Sequence, residues 1–558
     1  MTLISTQIKN ILYNAISHAY EIDEINLPRN LLNTLEIDVE RPKNPDHGHF
    51  ASNIALKLSA MLNKKPFTIA ETIVKHIKPN DTILIASVMA PGFINIKLTP
   101  EWLTAQIDTI RSNPSVYGNP KIDRIQNIQV EYVSVNPTGN LHIGHARGAI
   151  IGSVLSKILS TSGYNVTQEY YLNDAGSQIE KFNNSLYIRY QQQYGINASL
   201  PEEAYVGDDI ISLAKKIKAE YGDKFLNHNN SQEFADIGQH LVVLNISNSL
   251  KRLGIKFDVW FSEKSLFESG QHEKTFQALK SKKLVAEHDG ATWFLTTKMG
   301  QEKDDVLIRR DGTPTYFASD IAYHDDKFNN RNFDTVINIW GSDHQGQVPR
   351  LKAALSALEI EENRLNVILV QMVRVKKGTV SEKLSKRNGT TIPLSDLVDE
   401  VGADACRFMF LTRSHDSQLD FDLDIAIQNT SENPVYYVQY AHARTCSIIN
   451  LADKSKIDYS SASKDLLVEK VEFDLINKMV DLQSILHTIV VKLEPHHLPH
   501  YASELAATFH NFYQQCRVIS TDPSNLELSK SRLQLVDATR IILYKCLNLM
   551  GVNAPNKM

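Results

Sequence analysis

Two histidines, His142 and His145, and two lysines, Lys383 and Lys386, are the residues of this chain whose type and spacing best suit handling a polyphosphate. The histidines close the run Val-Glu-Tyr-Val-Ser-Val-Asn-Pro-Thr-Gly-Asn-Leu-His-Ile-Gly-His, which begins at Val130. Ile128, Val130, Tyr132 and residues 133–135 supply the β-branched and aromatic side chains of a strand. Asn136, Pro137, Thr138 and Gly139 end it with turn chemistry. A helix is expected to open near His145, because Ile150, Val154 and Ile158 recur at i, i+4, as do Ile151, Leu155 and Leu159; Gly163 falls just past its end. A helix start that follows a strand offers free N–H groups and a favourable dipole to an anion, and Gly144 permits a close backbone approach. The lysines lie in Lys383-Leu-Ser-Lys-Arg387, followed by Asn388-Gly389. Cations on such a loop suit a triphosphate whose charge builds on the phosphorus and on departing pyrophosphate. Each pattern is weak alone: paired histidines are commonly structural, and a K-x-x-K-R run is usually a solvated basic face. In this order, on alternating strands and helices, they predict the nucleotide corner of an α/β enzyme.

The elements that position these residues follow from periodicity. Residues 1–115 read as a separate α+β module. Ile8, Ile11, Leu12 and Ile16 mark one amphipathic helix; Phe50, Ile54 and Leu58, on to Met61, mark a second; Pro66 to Ile77 suggests a third. An alternating strand is expected over Phe93 to Leu98, and Arg111 to Asp123, with Pro114, Gly118 and Pro120, reads as a linker. Residues 116–390 alternate strand and helix, which predicts a mostly parallel sheet covered by helices. Candidate strands are 166–171, 291–295, 335–340 and 366–373, and a polar helical insertion occupies about 183–260, with a surface loop at Asn227-His-Asn-Asn-Ser. Residues 391–432 connect to a helical tail, 433–558. There Leu475, Met479, Leu482, Leu486, Ile489 and Leu493 keep one stripe until Pro495, and Leu505 to Val518 and Leu533 to Met550 add two more helices of a bundle.

At 558 residues the chain is long enough for several cores, and 42% hydrophobic with 22% charged residues describes an ordinary globular protein. No apolar run reaches membrane-spanning length, and the N-terminus lacks the pattern of a signal peptide. A cytoplasmic protein without a membrane partner is expected. The four cysteines, Cys406, Cys446, Cys516 and Cys546, are far apart and read as buried thiols, with neither zinc nor disulfides indicated. A net charge of -5 argues mildly against a nucleic-acid binder, although local clusters decide that question.

The two motifs resemble the HIGH and KMSKS signatures of class I aminoacyl-tRNA synthetases, whose histidines and lysines stabilise the transition state of adenylate formation. The flanking residues narrow the resemblance to the arginyl-tRNA synthetases. It extends through Tyr171-Leu-Asn-Asp-Ala-Gly, Phe257-Asp-Val-Trp-Phe-Ser-Glu, Pro314-Thr-Tyr-Phe-Ala-Ser-Asp-Ile-Ala-Tyr-His, Gly341-Ser-Asp-His-Gln-Gly, Asn433-Pro-Val-Tyr-Tyr-Val-Gln-Tyr-Ala-His-Ala-Arg and Met550-Gly-Val-Asn-Ala-Pro, essentially the whole chain. One departure is Lys386, since many family members lack the second lysine of that loop.

The resemblance implies a Rossmann-like catalytic domain between an N-terminal tRNA-binding module and a C-terminal anticodon-binding bundle, and an ATP-dependent arginine–tRNA ligase. It assigns catalysis to His142, His145, Lys383 and Lys386, and ATP binding to Gly144, Gly341, Asp343, His344, Met372 and Ser385. Arginine falls to Glu263, Asp320 and Tyr316, with Ser134 and Asn136 on its amino and carboxyl groups, Glu131 assisting and Gln347 in reach. Paired acids are what the fork of a guanidinium demands, and lysine would satisfy them poorly. On the RNA side it implies His47, Phe50 and Asn53 in the N-terminal module, and Tyr436, Tyr440 and Arg444 after Pro434. Tyr437 and His442 complete that aromatic and cationic set, one or two of which pack into the bundle instead. The expected partners are tRNA(Arg), L-arginine and ATP with Mg2+, for a monomer without protein-bound zinc. The family further implies activation only with tRNA bound, and no editing site. Rival readings are a cysteine-type synthetase, which would carry zinc-binding cysteines, a synthetase-like protein without catalysis, against which the intact His142, His145, Lys383 and Lys386 argue, and a small nucleotidyltransferase, which would not need the tail.

Overall fold

Five parallel strands form the centre of the computed structural model, which describes residues 3–226, 231–376 and 392–558. In spatial order they are Leu365–Val370, Thr335–Gly341, Asn127–Glu131, Asn165–Leu172 and Val259–Ser262. Chain order therefore runs outward from Asn127–Glu131 in one direction, then resumes on its other side with Thr335–Gly341. Beyond the carboxyl ends of strands that flank such a reversal lies a crevice, the usual ligand site of an open α/β sheet. The helix Ile143–Thr161 returns from the first strand and buries Ile150, Val154, Leu155 and Ile158 completely or nearly so. Gly152 lets it lie close against the sheet: a Cβ there would stand 2.3 Å from the Tyr132 ring.

Several expectations are corrected. The strand predicted through residue 135 ends at Glu131, because Val133 and Ser134 adopt φ of 70° and 42°. The stretch 366–373 is two strands: Leu365–Val370 belongs to the central sheet, and Val373–Lys376 pairs with Leu419–Asp422. Residues 291–295 form no part of the central sheet; Ala291–Phe294 is the middle of a separate antiparallel sheet between Val285–His288 and Asp305–Ile308. The fifth central strand, Val259–Ser262, had no alternating pattern to reveal it, since all four residues are half-buried at the sheet edge.

In the N-terminal module, Phe50 is not on the second helix. It starts the short strand Phe50–Ser52, paired with Phe93–Leu98, and the helix runs Ile54–Leu62. The insertion comprises the helices Ser177–Gln192, Asp208–Tyr221 and Gln232–Arg252, with 227–230 outside the described residues. The tail packs Pro434–Lys454, Lys470–Lys492, His497–Gln515 and Leu526–Met550 as a bundle. The N-terminal side is pinned to this bundle by Arg41 on Asp481 (2.6 Å) and by Arg111 on Asp537 (3.1 Å).

Candidate active site

A cavity of about 770 Å³ opens at the carboxyl ends of the central strands. Every residue expected to meet arginine or ATP lines it, except Ser385, which with Lys383 and Lys386 lies outside the described residues. The flanks of 377–391 are nevertheless at the cavity. Val373 lines it, and on the far side Ile143 N–H donates to Ile392 C=O while Leu394 N–H donates to Leu141 C=O, both at 2.9 Å.

The histidine turn is organised by its own backbone. His142 is the N-cap of the helix Ile143–Thr161; its Nδ1 accepts from Gly144 N–H (3.1 Å), and His145 Nδ1 accepts from His142 N–H (3.2 Å). A neutral imidazole has one proton, so with both Nδ1 atoms accepting, both protons reside on Nε2. The ring centres lie 3.7 Å apart, with the planes tilted by 33°. Burial lowers the pKa of His142, and burial reinforced by His142 lowers His145 to about 3. The pair therefore presents two neutral N–H donors. Gly144 is required here by contact, because an added Cβ would lie 2.9 Å from His142 Cε1.

The opposite end of the cavity is acidic. A left-handed φ at a β-branched residue is rare and costs about 1–3 kcal/mol; Val133 adopts one, and the chain turns there so that Ser134 and Asn136 reach the cavity. Ser134 Oγ accepts from Tyr171 N–H at 3.2 Å, Tyr170 OH donates to Val135 C=O at 2.9 Å, and Asn136 Nδ2 donates to Gln178 Oε1. Asp320 and Tyr316 share the helix Tyr316–Asp325, and Glu263 follows the edge strand as N-cap of Lys264–Glu268. Asn173, with its amide turned to donate, reaches Glu263 Oε2 at 2.8 Å. Burial raises the pKa of Glu263. Burial, then the Glu131 and Glu263 carboxylates, push Asp320 up to about 7, against the opposing pull of Lys327 and Arg350. Glu131 lines the cavity too, but one of its oxygens is committed to Lys327 at 2.6 Å.

On the remaining side lie Gly341, Asp343, His344 and Gln347, at the end of Thr335–Gly341 and in the 3-10 turn Ser342–Gln347, facing Met372 in the break between two strands. Arg147 holds that break. Fully buried, it donates to the carbonyls of Gln371 (3.1 Å), Ser414 (2.7 Å), Ser417 (2.7 Å) and Arg413 (3.3 Å). Sequence reasoning gave Arg147, Asn173, Gln178 and His324 no role, although all but Arg147 line the cavity. For Arg147 a signal existed: an arginine on a helix otherwise packed with buried apolar residues must have partners.

The chain matches three family profiles: "Arginyl tRNA synthetase N terminal domain" over residues 6–98, "tRNA synthetases class I (R), catalytic domain" over 106–445, and "DALR anticodon binding domain" over 438–558. It is 47% identical over 556 residues to the arginine–tRNA ligase of Dehalococcoides mccartyi strain CBDB1, covering 99% of both chains. With the arginine–tRNA ligase of Bacillus subtilis it shares 40% over 565 residues, covering both completely. The chain belongs to the arginyl-tRNA synthetases. Its fold is also that of the Thermus thermophilus arginyl-tRNA synthetase structure, with TM-score 0.77 and 20% identity over the whole of both chains.

The RNA-facing expectations for this arginyl-tRNA synthetase fare unequally in geometry. Phe50 is buried, at 3% exposure, with the Arg41 guanidinium 4.3 Å from its ring centre, so its ring is not offered to a nucleic acid. His47 and Asn53 instead line a second cavity of about 350 Å³ with Arg41, Lys43 and Asn95. On Pro434–Lys454, the Tyr436 and Tyr440 rings lie parallel within 9°, and Arg444 donates to Tyr440 OH while standing over the Tyr440 and Tyr513 rings. These three are partly exposed on one helix face; His442 is buried and bonded to the Pro555 carbonyl at 3.0 Å. The four cysteines are buried free thiols. Among the described residues one group, Glu494, His496 and His497, gathers three possible metal ligands, and it lies in the bundle, outside the active-site cavity. No helix among the described residues is long and apolar enough to cross a membrane.

Proposed function

We propose that the cavity holds arginine and ATP end to end, the guanidinium among Asp320, Glu263 and Tyr316 and the triphosphate at His142 and His145. The enzyme is an arginine–tRNA ligase, which forms arginyl-tRNA with AMP and pyrophosphate. One observation carries the division of the cavity: the buried Glu131 and Glu263 and the half-buried Asp320 are gathered at one end, and two imidazoles with outward N–H donors at the other. Ser134 and Asn136, between the two ends, hold the amino and carboxyl groups of arginine with Glu131 assisting. The arginine carboxylate attacks the α-phosphorus in line, the bond to pyrophosphate breaks, and arginyl-adenylate forms. The 3′ adenosine hydroxyl of tRNA(Arg) then attacks the activated carbonyl, gives up its proton, and AMP leaves.

Nothing in this scheme needs a covalent enzyme intermediate. Orientation and preorganised donors supply the acceleration. The Nε2–H groups of His142 and His145 and the helix start meet the charge developing on phosphate, and Lys383, Ser385 and Lys386, the residues of the second signature, complete the grip on it. Gly341, Asp343, His344 and Met372 enclose the nucleoside, and Gln347 completes the arginine side. Mg2+ comes with the nucleotide: imidazoles and backbone N–H groups are poor partners for a hard cation, which fits a metal held by the phosphates themselves. Tyr436, Tyr440 and Arg444 stack anticodon bases, and the His47–Asn53 cavity meets the outer part of the tRNA. We place the reaction in the cytoplasm, with the chain acting as a monomer.

Pyrophosphate exchange driven by each amino acid in turn, with and without tRNA(Arg), tests this reading. Arginine alone should support exchange, and only with tRNA present. Activation of any other amino acid at a comparable rate would overturn it.

A further inference from the structure

Directly beneath the acidic end of the cavity the protein keeps a cation of its own. Lys327 lies in the π-turn Asp326–Asn330 that continues the helix of Tyr316 and Asp320, and its side chain is completely buried. Its ammonium donates to Glu131 Oε2 (2.6 Å) and Asn338 Oδ1 (3.2 Å) and stands 4.0 Å from the centre of the Tyr323 ring. Asn338 Nδ2 donates to His324 Nε2 (2.7 Å), so the single proton of that ring is on Nδ1, which donates to the Asp320 carbonyl (2.7 Å). A continuous chain of hydrogen bonds thus runs from Lys327 to the backbone of Asp320.

We propose that Lys327 is a positioning and specificity-determining residue for arginine: it fixes Glu131 and balances its charge, leaving Asp320 and Glu263 as the carboxylates a guanidinium has to neutralise. Without that cation three carboxylates would crowd one half-enclosed site, and the cheapest relief would be a proton on one of them. The groups facing Asp320 are Glu131 from its strand, Glu263 just past the edge strand, and the cations Lys327, from the π-turn that ends the Asp320 helix, and Arg350, from the helix Val348–Ala357. Glu131 and Glu263 favour its protonated form, while Lys327 and Arg350 favour the ionised form that pairs with a guanidinium. Burial works against the charge of Lys327, and Glu131 and Glu169 preserve it.

The inference rests on Asp320 and Glu263 being the guanidinium partners. The test is a cycle of Lys327→Met, Glu131→Gln and the double variant, with Asp320→Asn as reference, reading arginine KM against pH in pyrophosphate exchange with tRNA(Arg) present. Lys327→Met should raise arginine KM tenfold or more at pH 7, leave ATP KM within about twofold, and move the acid limb of the profile to higher pH. The double variant, which loses one opposing influence of each sign, should return that limb toward the wild-type position. If Lys327→Met does not fold, the double variant, with no lone charge left buried, is compared with Glu131→Gln alone; equal profiles for the two would overturn the proposal. So would a folded Lys327→Met with an unmoved limb, or an ATP KM rising as much as that of arginine. An Asp320→Asn variant with wild-type arginine KM would instead defeat the underlying reading of the pocket.

Discussion

The two ends of the active-site cavity solve opposite electrostatic problems. At the histidine turn the ligand brings the charge, and the protein offers neutral N–H donors fixed by the backbone of four consecutive residues. At the acidic end the protein holds the charge itself, in carboxylates drawn from three elements, one of them paired with a buried lysine. A site for a polyanion can be built from dipoles at little cost to stability, because an empty helix start is readily hydrated. A site for a guanidinium needs formal negative charge, and that charge is unfavourable until the ligand is bound.

The largest break in this contrast should come from Asp320→Asn. Arginine KM is expected to rise by about 10³-fold or more, as one partner of a desolvated charge pair is removed. ATP KM should stay within about twofold; an equal rise in both would move Asp320 to the nucleotide end. The same variant should be more heat-resistant than the wild type without ligand. A carboxyl whose folded pKa is raised, here to about 7, contributes stability below its unfolded value that is lost as pH rises through about 7. The gain in Tm from Asp320→Asn should therefore appear at pH 8 and vanish near pH 4, as differential scanning calorimetry would read directly.

At the other end, His142→Ala should lower kcat about 10²–10³-fold with little change in arginine KM, the signature of a donor used in the transition state. A pure affinity loss would contradict that role. Wild-type arginine KM should also rise about tenfold per pH unit below pH 7, since arginine then has to displace the proton on Asp320. His145, lowered to about 3, is already neutral there and should contribute no limb, and burial moves His142 in the same direction. Gly144→Ala should cost less, roughly tenfold in kcat, by displacing the His142 ring while leaving its chemistry in place. The smallest effect belongs to the RNA side: Arg444→Ala should raise tRNA KM severalfold, in line with loss of one stacked base at about 1 kcal/mol, and leave exchange kinetics at saturating tRNA unchanged.

How much of this could be read beforehand follows the same contrast. The histidine turn is local: turn and helix start are contiguous, so residue order specifies most of the geometry from Asn136 to His145, and the structure adds where the preceding strand ends and which ring nitrogen is free. Glu263 and Asp320 were nameable only through likeness to a family, because nothing in their neighbouring residues distinguishes them from surface carboxylates. Phe50 shows the reverse failure. Its spacing to Ile54 and Leu58 imitates a helix, but pairing with Phe93–Leu98 makes it a strand residue and buries it under Arg41.

By itself the sequence determined the class of the enzyme and the helical tail, and it named the residues from which the proposed nucleotide corner and arginine pocket are drawn. Tertiary structure alone decided the strand order that puts the crevice between Asn127–Glu131 and Thr335–Gly341, the left-handed turn at Val133, and the placing of Lys327 under Glu131. The physical reason is range. Propensity, capping and turn chemistry act over a few residues and can be read along the chain. Which buried charges meet depends on contacts between residues nearly two hundred positions apart, Glu131 with Lys327 among them, that form only when the sheet closes around them.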